Sequence, residues 1–330
     1  AVNRVVGNDP LEIRVAGLDD GGLRWIPGTP RVPAEDEQAG VTIQTRRVHE
    51  GVLRATIKSP VSREVRWSVS FTNEPAEERV RLTPPPGPAP RINGPKIYGA
   101  RPGNPFLYRI PCTGTRPMRF SADGLPPSLT LDPATGIITG TTPPAGRHAI
   151  TLRASNAVGS AQRAFTLVAG DSLALTPTMG YNTWYAHFTR VTDATLRQAA
   201  DAMITNGMAD AGYQYVNVDD CWMQAPELTK FLLDPRRVGP ARDTNGIILP
   251  NVYFPDMKAL TEYIHARGLK AGIYSSPGPL TCTGSHGSHQ FEALDARTYV
   301  EWGFDFLKYD WCSYSRITPT NAPLEKLQHP

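Results

Sequence analysis

No apolar run in the 330-residue chain approaches the roughly 20 residues that a membrane-spanning helix needs. No cluster of five Lys or Arg occurs, and the formal net charge is only +3, so neither a nucleic-acid face nor a polybasic membrane anchor is indicated. There is no C-x-x-C, which leaves a zinc ribbon or a thioredoxin-type site without support. No G-x-G-x-x-G follows a strand candidate, so a dinucleotide fold has no fingerprint. The opening AVNRVVGNDP has no initiator Met and no charged-then-apolar leader. The expectation is a secreted or periplasmic protein whose signal peptide has been removed, or a piece of a longer chain. Cysteine is sparse: Cys112, Cys221, Cys282 and Cys312 stand far apart. One disulfide with two spare thiols would suggest an oxidising compartment, and four buried thiols is the alternative that the count alone leaves open.

Proline is abundant instead. There are 32, of which 21 precede residue 171, roughly twice the usual share. Residues 1–172 carry a net +6 and residues 173–330 a net −3. The chain therefore has at least two regions of different character. Within 1–83, VTIQTRRV, GVLRATIKS and EVRWSVSFT alternate apolar and polar residues, the pattern of half-buried strands. PPPGPAP (84–90) lacks ladder donors and reads as an extended linker. In 91–171, FLYRI, MRFSA, LTLD, GIITGT, HAITLRASN and QRAFTLVA are short strands punctuated by Pro/Gly turns, which fits a small antiparallel sandwich.

From residue 172 the rhythm changes to β-α-β-α-β-α-β. The strand candidates are MGYNTW, GYQYVNVDD, LKAGIYSS and FDFLKYDW, and the helix before the second has its N-cap candidate at Thr192. Such alternation means a parallel sheet. Trp184, Asp219, Asp220, Tyr274 and Asp310 fall where strands run out, which in a (β/α)₈ barrel is the active-site face. Four strands make half a barrel, and the chain ends 20 residues after Asp310.

Lys308 and Asp310 are two apart on a strand, so both should point into the barrel mouth. The ammonium favours an ionised carboxylate, which suits a nucleophile; a structural ion pair explains the spacing equally well. Asp219 and Asp220 suit sugar hydroxyls as paired acceptors, but only if the strand stops there; otherwise they read as a helix N-cap and solvated turn. A metal site would need a third oxygen ligand, and none is obvious. Cys282, His286 and His289 have metal-like spacing in a Gly/Ser loop but lack a fourth ligand. Trp222, Trp302 and Trp311 read as packing residues, and Cys112 and Cys221 as small core residues.

The run GLPPSLTLDPATGIITGTTPPAG, ending in AITLRASNAVGSA, resembles the immunoglobulin-like modules found beside catalytic domains in secreted bacterial enzymes, which implies a spacer or adhesion role. LALTPTMGYNTW, YQYVNVDDCWM, LKAGIYSSPGPLTCTGSHGSH and WGFDFLKYDWCSY resemble, in order, the family 27 glycoside hydrolases, the α-galactosidase family. The resemblance implies a retaining glycosidase on a TIM (β/α)₈ barrel that acts on α-galactosides, as oligosaccharides or polysaccharides, with no metal and no cofactor. Asp310 matches the nucleophile and Lys308 the lysine that bonds the sugar. Asp219 and Asp220 match the pair that grips the hydroxyls at positions 4 and 6. Trp184 matches the aromatic wall of the pocket, and Tyr274 the tyrosine at the end of strand three. Cys282 and Cys312 match a bridged pair beside the pocket, with Cys282 counted among the substrate-contacting residues. Tyr181 replaces the family's usual Trp, and the partner of Cys221 in some members has no counterpart here. The family's acid/base aspartate follows the sixth strand, so the expectation is the first half of a catalytic barrel with that residue beyond the C-terminus. A non-catalytic galactose-binding protein and a hydrolase of α-N-acetylgalactosaminides are the alternatives.

Overall fold

Period-two patterning forms strands throughout the N-terminal half. The computed structural model describes residues 2–14, 24–26, 30–49, 52–73 and 85–317, and these fall into two units, Ala1–Pro84 and Pro85–Pro330. In the first unit an antiparallel sheet takes the order Val2–Arg14, Val52–Arg66, Thr42–His49. Val41, Ala55, Ile57, Val65 and Trp67 form its small core. Two strands were expected over 51–72, but Val52–Arg66 runs straight through Pro60. Pairing with Thr42–His49 stops at Lys58, and the register with Val2–Arg14 slips between Val5 and Gly7, across from Ser59 and Arg63. The proline's missing N–H thus falls at an irregularity, where it costs no ladder bond.

The second unit begins with a two-sheet sandwich. One sheet has the order Arg119–Asp123, Gly146–Ser155, Ser160–Ala169, Ile97–Ala100; the other has Leu129–Leu131, Ile137–Thr141, Pro105–Arg109. All six expected strands form, and their inward residues, among them Phe106, Tyr108, Phe120, Ile138, Leu152 and Phe165, fill the core. Ile97–Ala100 escaped the pattern because it is short and contains glycine; it joins parallel to Ser160–Ala169.

Four parallel strands follow in chain order: β1 (Gly180–Asn182), β2 (Tyr215–Asn217), β3 (Lys270–Ser275) and β4 (Phe306–Tyr309). Helices α1 (Asp193–Thr205), α2 (Met257–His265) and α3 (Glu292–Glu301) lie between them in sequence. Thr192 caps α1 in a reciprocal box with Thr195, and Asp256 caps α2 by accepting from the Ala259 N–H. Leu196, Ala200 and Met203 of α1 and Leu260 and Ile264 of α2 pack on Val216 and Ile273 of the sheet. Among the described residues no helix is long and apolar enough to cross a membrane.

The sandwich sits on the starts of these strands. Asp210 pairs with Arg116 at 2.7 Å and Arg109 at 3.8 Å, and its carbonyl accepts from Asn93 Nδ2. Arg109 Nη1 donates to the Arg267 carbonyl, and the Lys270 ammonium lies 5.6 Å from the centre of the Tyr98 ring. Gly268, at φ +72, ends the turn after α2 so close to the sandwich that a Cβ would come within 2.8 Å of Ile137. A cavity of about 670 Å³ lined by Tyr98, Leu173, Met179, Gln214 and Tyr215 lies along this seam. Asp210→Ala is expected to cost roughly 1 kcal/mol, since Arg116 is partly exposed, and to lower one joint melting transition in calorimetry. Two separate transitions would mean that sandwich and sheet do not unfold together.

Candidate active site

The chemistry-bearing residues collect at the other ends of the same strands. β2 stops at Asn217, two residues before Asp219, so alternation no longer governs the aspartates. Both are buried, at 2% and 1% exposure, and no helix follows them directly; the N-cap and solvated-turn reading does not hold. The Asp219 N–H donates to Thr183 Oγ1 at 2.9 Å, the Asp220 N–H to Asp219 Oδ1 at 2.8 Å, and the Cys221 N–H to Asp220 Oδ1 at 2.7 Å. From the loop after β3, the Thr283 N–H donates to Asp220 Oδ2 at 3.1 Å.

Lys308 faces the mouth as expected, but its hydrogen bond goes across the sheet. Nζ donates to Asp219 Oδ2 at 2.7 Å and stands 4.0 Å from Asp310. It also lies 5.0 Å from the centre of the Tyr274 ring. Asp310 begins the segment after β4. Its N–H donates to the Ser275 carbonyl, and its Oδ1 accepts the Trp311 N–H at 3.0 Å. Its side chain is 44% exposed, so its carboxylate is open to solvent, whereas Asp219 and Asp220 are buried.

Cys282 and Cys312 form a disulfide, and Cys112 and Cys221 are free and buried. An Asp310 carboxylate oxygen and both disulfide sulfurs lie within 4.8 Å of one another. These sulfurs are spent on each other, so the cluster is not a metal centre. Among the described residues no cluster joins Cys282 to His286 and His289; His286 Nε2 lies 3.2 Å from the Gly239 carbonyl. The Tyr274 hydroxyl meets Cys312 Sγ at 3.5 Å.

Trp184 departs from expectation. It opens the short helix Trp184–His187 instead of ending β1, and its ring packs edge-on against Phe188. Thr183, the residue after β1, is the one that reaches the aspartate pair, its Oγ1 accepting the Asp219 N–H. Trp222 is fully buried, with Nε1 donating to the Tyr274 carbonyl, but Trp311 is 43% exposed and meets only Tyr314 edge-on among the described rings. Sequence reasoning also missed Thr281, Thr283, Arg237 and Asn251. The density of hydroxyls in LTCTGSHGSH was visible; that they would converge on Asp220 was not.

Burial pushes the Asp220 carboxyl from the ordinary 3.8 up to about 6, against hydrogen bonds from Thr281, Thr283 and Cys221 that pull it down. Burial, with Asp220 and Asp310 nearby, likewise raises the Tyr274 phenol, so it stays a neutral hydroxyl. Between about pH 4 and 6 the folded chain holds a proton on Asp220 that the unfolded chain has released. Stability is therefore expected to fall as pH rises through that window, by about 3 kcal/mol at most. Asp220→Asn should flatten this part of the curve of Tm against pH; an unchanged slope would assign it to another group.

Residues 176–328 match the family described as "Alpha galactosidase A", and residues 89–170 the family described as "Putative Ig domain". Alpha-galactosidase A of Cellvibrio japonicus is 45% identical over 154 residues, 46% of this chain and 34% of that protein. Alpha-galactosidase of Coffea arabica is 40% identical over 152 residues, covering 45% and 36%. The chain spans about a third of the length of these curated relatives. The crystal structure of a "putative alpha-galactosidase" from Bacteroides fragilis is 40% identical, with a TM-score of 0.64 over 74% of this chain and 48% of that one. A second from the same organism gives 41%, 0.62, 71% and 46%. Those shares exceed what residues 176–328 alone supply, so the likeness extends into the sandwich. The residues that carry the parallel sheet thus match the α-galactosidase family, with its TIM-barrel-type fold, and the sandwich before them matches an immunoglobulin-like domain.

Proposed function

We propose that this site is the sugar pocket and nucleophile of a retaining α-galactosidase. One observation carries the reading: an open carboxylate, Asp310, stands beside a Lys308–Asp219 bond and a second buried aspartate, all at strand ends of a domain with this family's sequence. Asp310 attacks the anomeric carbon as the bond to the leaving oxygen breaks, giving a covalent glycosyl-enzyme that water later opens. Each Asp219 oxygen takes one hydrogen bond from the protein and keeps a lone pair for a sugar hydroxyl, while Asp220 is held more tightly by Cys221, Thr281 and Thr283. A sugar whose hydroxyls point elsewhere would leave buried acceptors without donors, which disfavours it strongly.

The acid/base carboxyl, roughly 5–5.5 Å from the nucleophile in retaining enzymes, is assigned to no residue of this chain. Hydrolysis by the whole protein, on α-galactoside oligosaccharides or polysaccharides, is part of the proposal. The disulfide fits an extracellular or periplasmic setting. A test that needs no acid uses 5-fluoro-α-D-galactosyl fluoride, whose fluoride departs without protonation. The expected result is one 5-fluorogalactosyl adduct on the peptide carrying Asp310, read by mass spectrometry. An adduct on another residue, or none, would sink the assignment.

A further inference from the structure

Cys221, directly after Asp220, has φ +77. A residue with a side chain stays in that left-handed region only where its surroundings hold it there. Two side chains do so. The Cys221 carbonyl accepts from Arg237 Nη1 at 2.6 Å and from Asn251 Nδ2 at 2.7 Å. Arg237 is 3% exposed, and its Nη2 donates to the Val191 carbonyl at 2.8 Å. Among the described residues it forms no ion pair. The nearby Asp234 spends its oxygens on Arg236 and Tyr253, and the Arg237 guanidinium lies over the Tyr253 ring at 4.4 Å. A buried cation served by two carbonyls and a ring is costly to keep, and its hydrogen bonds end on the residue that turns the chain behind the aspartate pair.

We propose that Arg237 is the positioning residue of the Asp219–Asp220 pair. Its planar fork ties Cys221 to Val191 and holds the reversed backbone that lets two adjacent carboxylates address one pocket. A lysine at 237 carries the charge but not the fork. The ligand in this inference rests on the galactose reading above; the geometry does not.

The test compares Arg237→Lys with the double variant Arg237→Lys/Cys221→Gly in the 330-residue chain. Glycine adopts positive φ freely and has no need of the clamp. Two readouts are taken: D-galactose affinity by calorimetry, and the rate at which a neutral thiol reagent labels Cys221, with buried Cys112 of the immunoglobulin-like module as internal reference. Arg237→Lys is expected to weaken galactose by about tenfold or more and to speed labelling of Cys221 but not Cys112. Adding Cys221→Gly is expected to restore most of the affinity. Unchanged affinity, equal acceleration of both thiols, or no restoration would overturn the proposal. If the parent chain takes up no galactose, the reading of the ligand falls, and labelling alone decides the clamp: faster Cys221 with steady Cys112 upholds it, no change overturns it. If Arg237→Lys does not fold, Asn251→Ser removes the other donor to the same carbonyl and is judged by the same criteria.

Discussion

Asp310→Asn should abolish fluoride release from α-galactosyl fluoride, with a fall of about 10⁴-fold or more, while galactose affinity changes little. The carboxamide keeps the shape of the side chain and the oxygen that accepts the Trp311 N–H, but it cannot form the ester to the anomeric carbon. Because fluoride leaves without protonation, the loss reports on the nucleophile alone. Asp310→Gly sharpens the result. With azide added, the small anion occupies the vacated space, the C–F bond breaks, and a C–N bond forms on the opposite face. The expected product is β-galactosyl azide, identified by NMR. Turnover by Asp310→Asn at the parent rate, or an α-azide, would remove Asp310 from the nucleophile's role.

The second large effect is expected at the disulfide. Cys282 and Cys312 are 30 residues apart, and closing a loop of that length removes chain entropy worth about 3–4 kcal/mol. The bond joins the loop that supplies the Thr283 N–H to Asp220 with the segment that carries Asp310. Three more contacts follow the same seam. Ser276 Oγ donates to the Cys312 carbonyl at 2.7 Å, Ser313 Oγ donates to the Leu280 carbonyl at 2.6 Å, and Gly278 passes so near Cys312 and Ser313 that no Cβ fits. Cys282→Ala/Cys312→Ala should therefore lower stability by about that amount and weaken galactose binding together. Urea denaturation and calorimetry check both. An unchanged midpoint would mean that the serine bonds suffice to hold the two loops.

The alternation of strand and helix from residue 179 onward was legible because each element carries its own apolar period. The caps at Thr192 and Asp256 sit one residue before the helices they serve, within reach of local patterns. The strand-end position of Asp219, Tyr274, Lys308 and Asp310 followed directly. What local reading could not supply was partnership across the sheet. Spacing by two assigned Lys308 to Asp310, whereas the fold gives its hydrogen bond to Asp219, 89 residues earlier. Arg237 and Asn251 lie 16 and 30 residues beyond Cys221, in a stretch without period, and no sequence signal linked them to the aspartates. The two strands expected from GVLRATIKS and EVRWSVSFT merge for a related reason: the gap between them holds Pro60, and no neighbouring strand asks for a ladder bond there.

The seat of the immunoglobulin-like module on the strand starts determines where the chain can be cut. Excision at residue 172 would strip Asn93, Arg109 and Arg116 from Asp210 and Arg267, and would uncover Tyr215 and Lys270. Expressing the barrel segment without its companion should then give poorly behaved protein, whereas a cut within the proline run at 84–90 leaves the shared surface intact. Recombination between such proteins would accordingly have to move the two modules together, as one cassette.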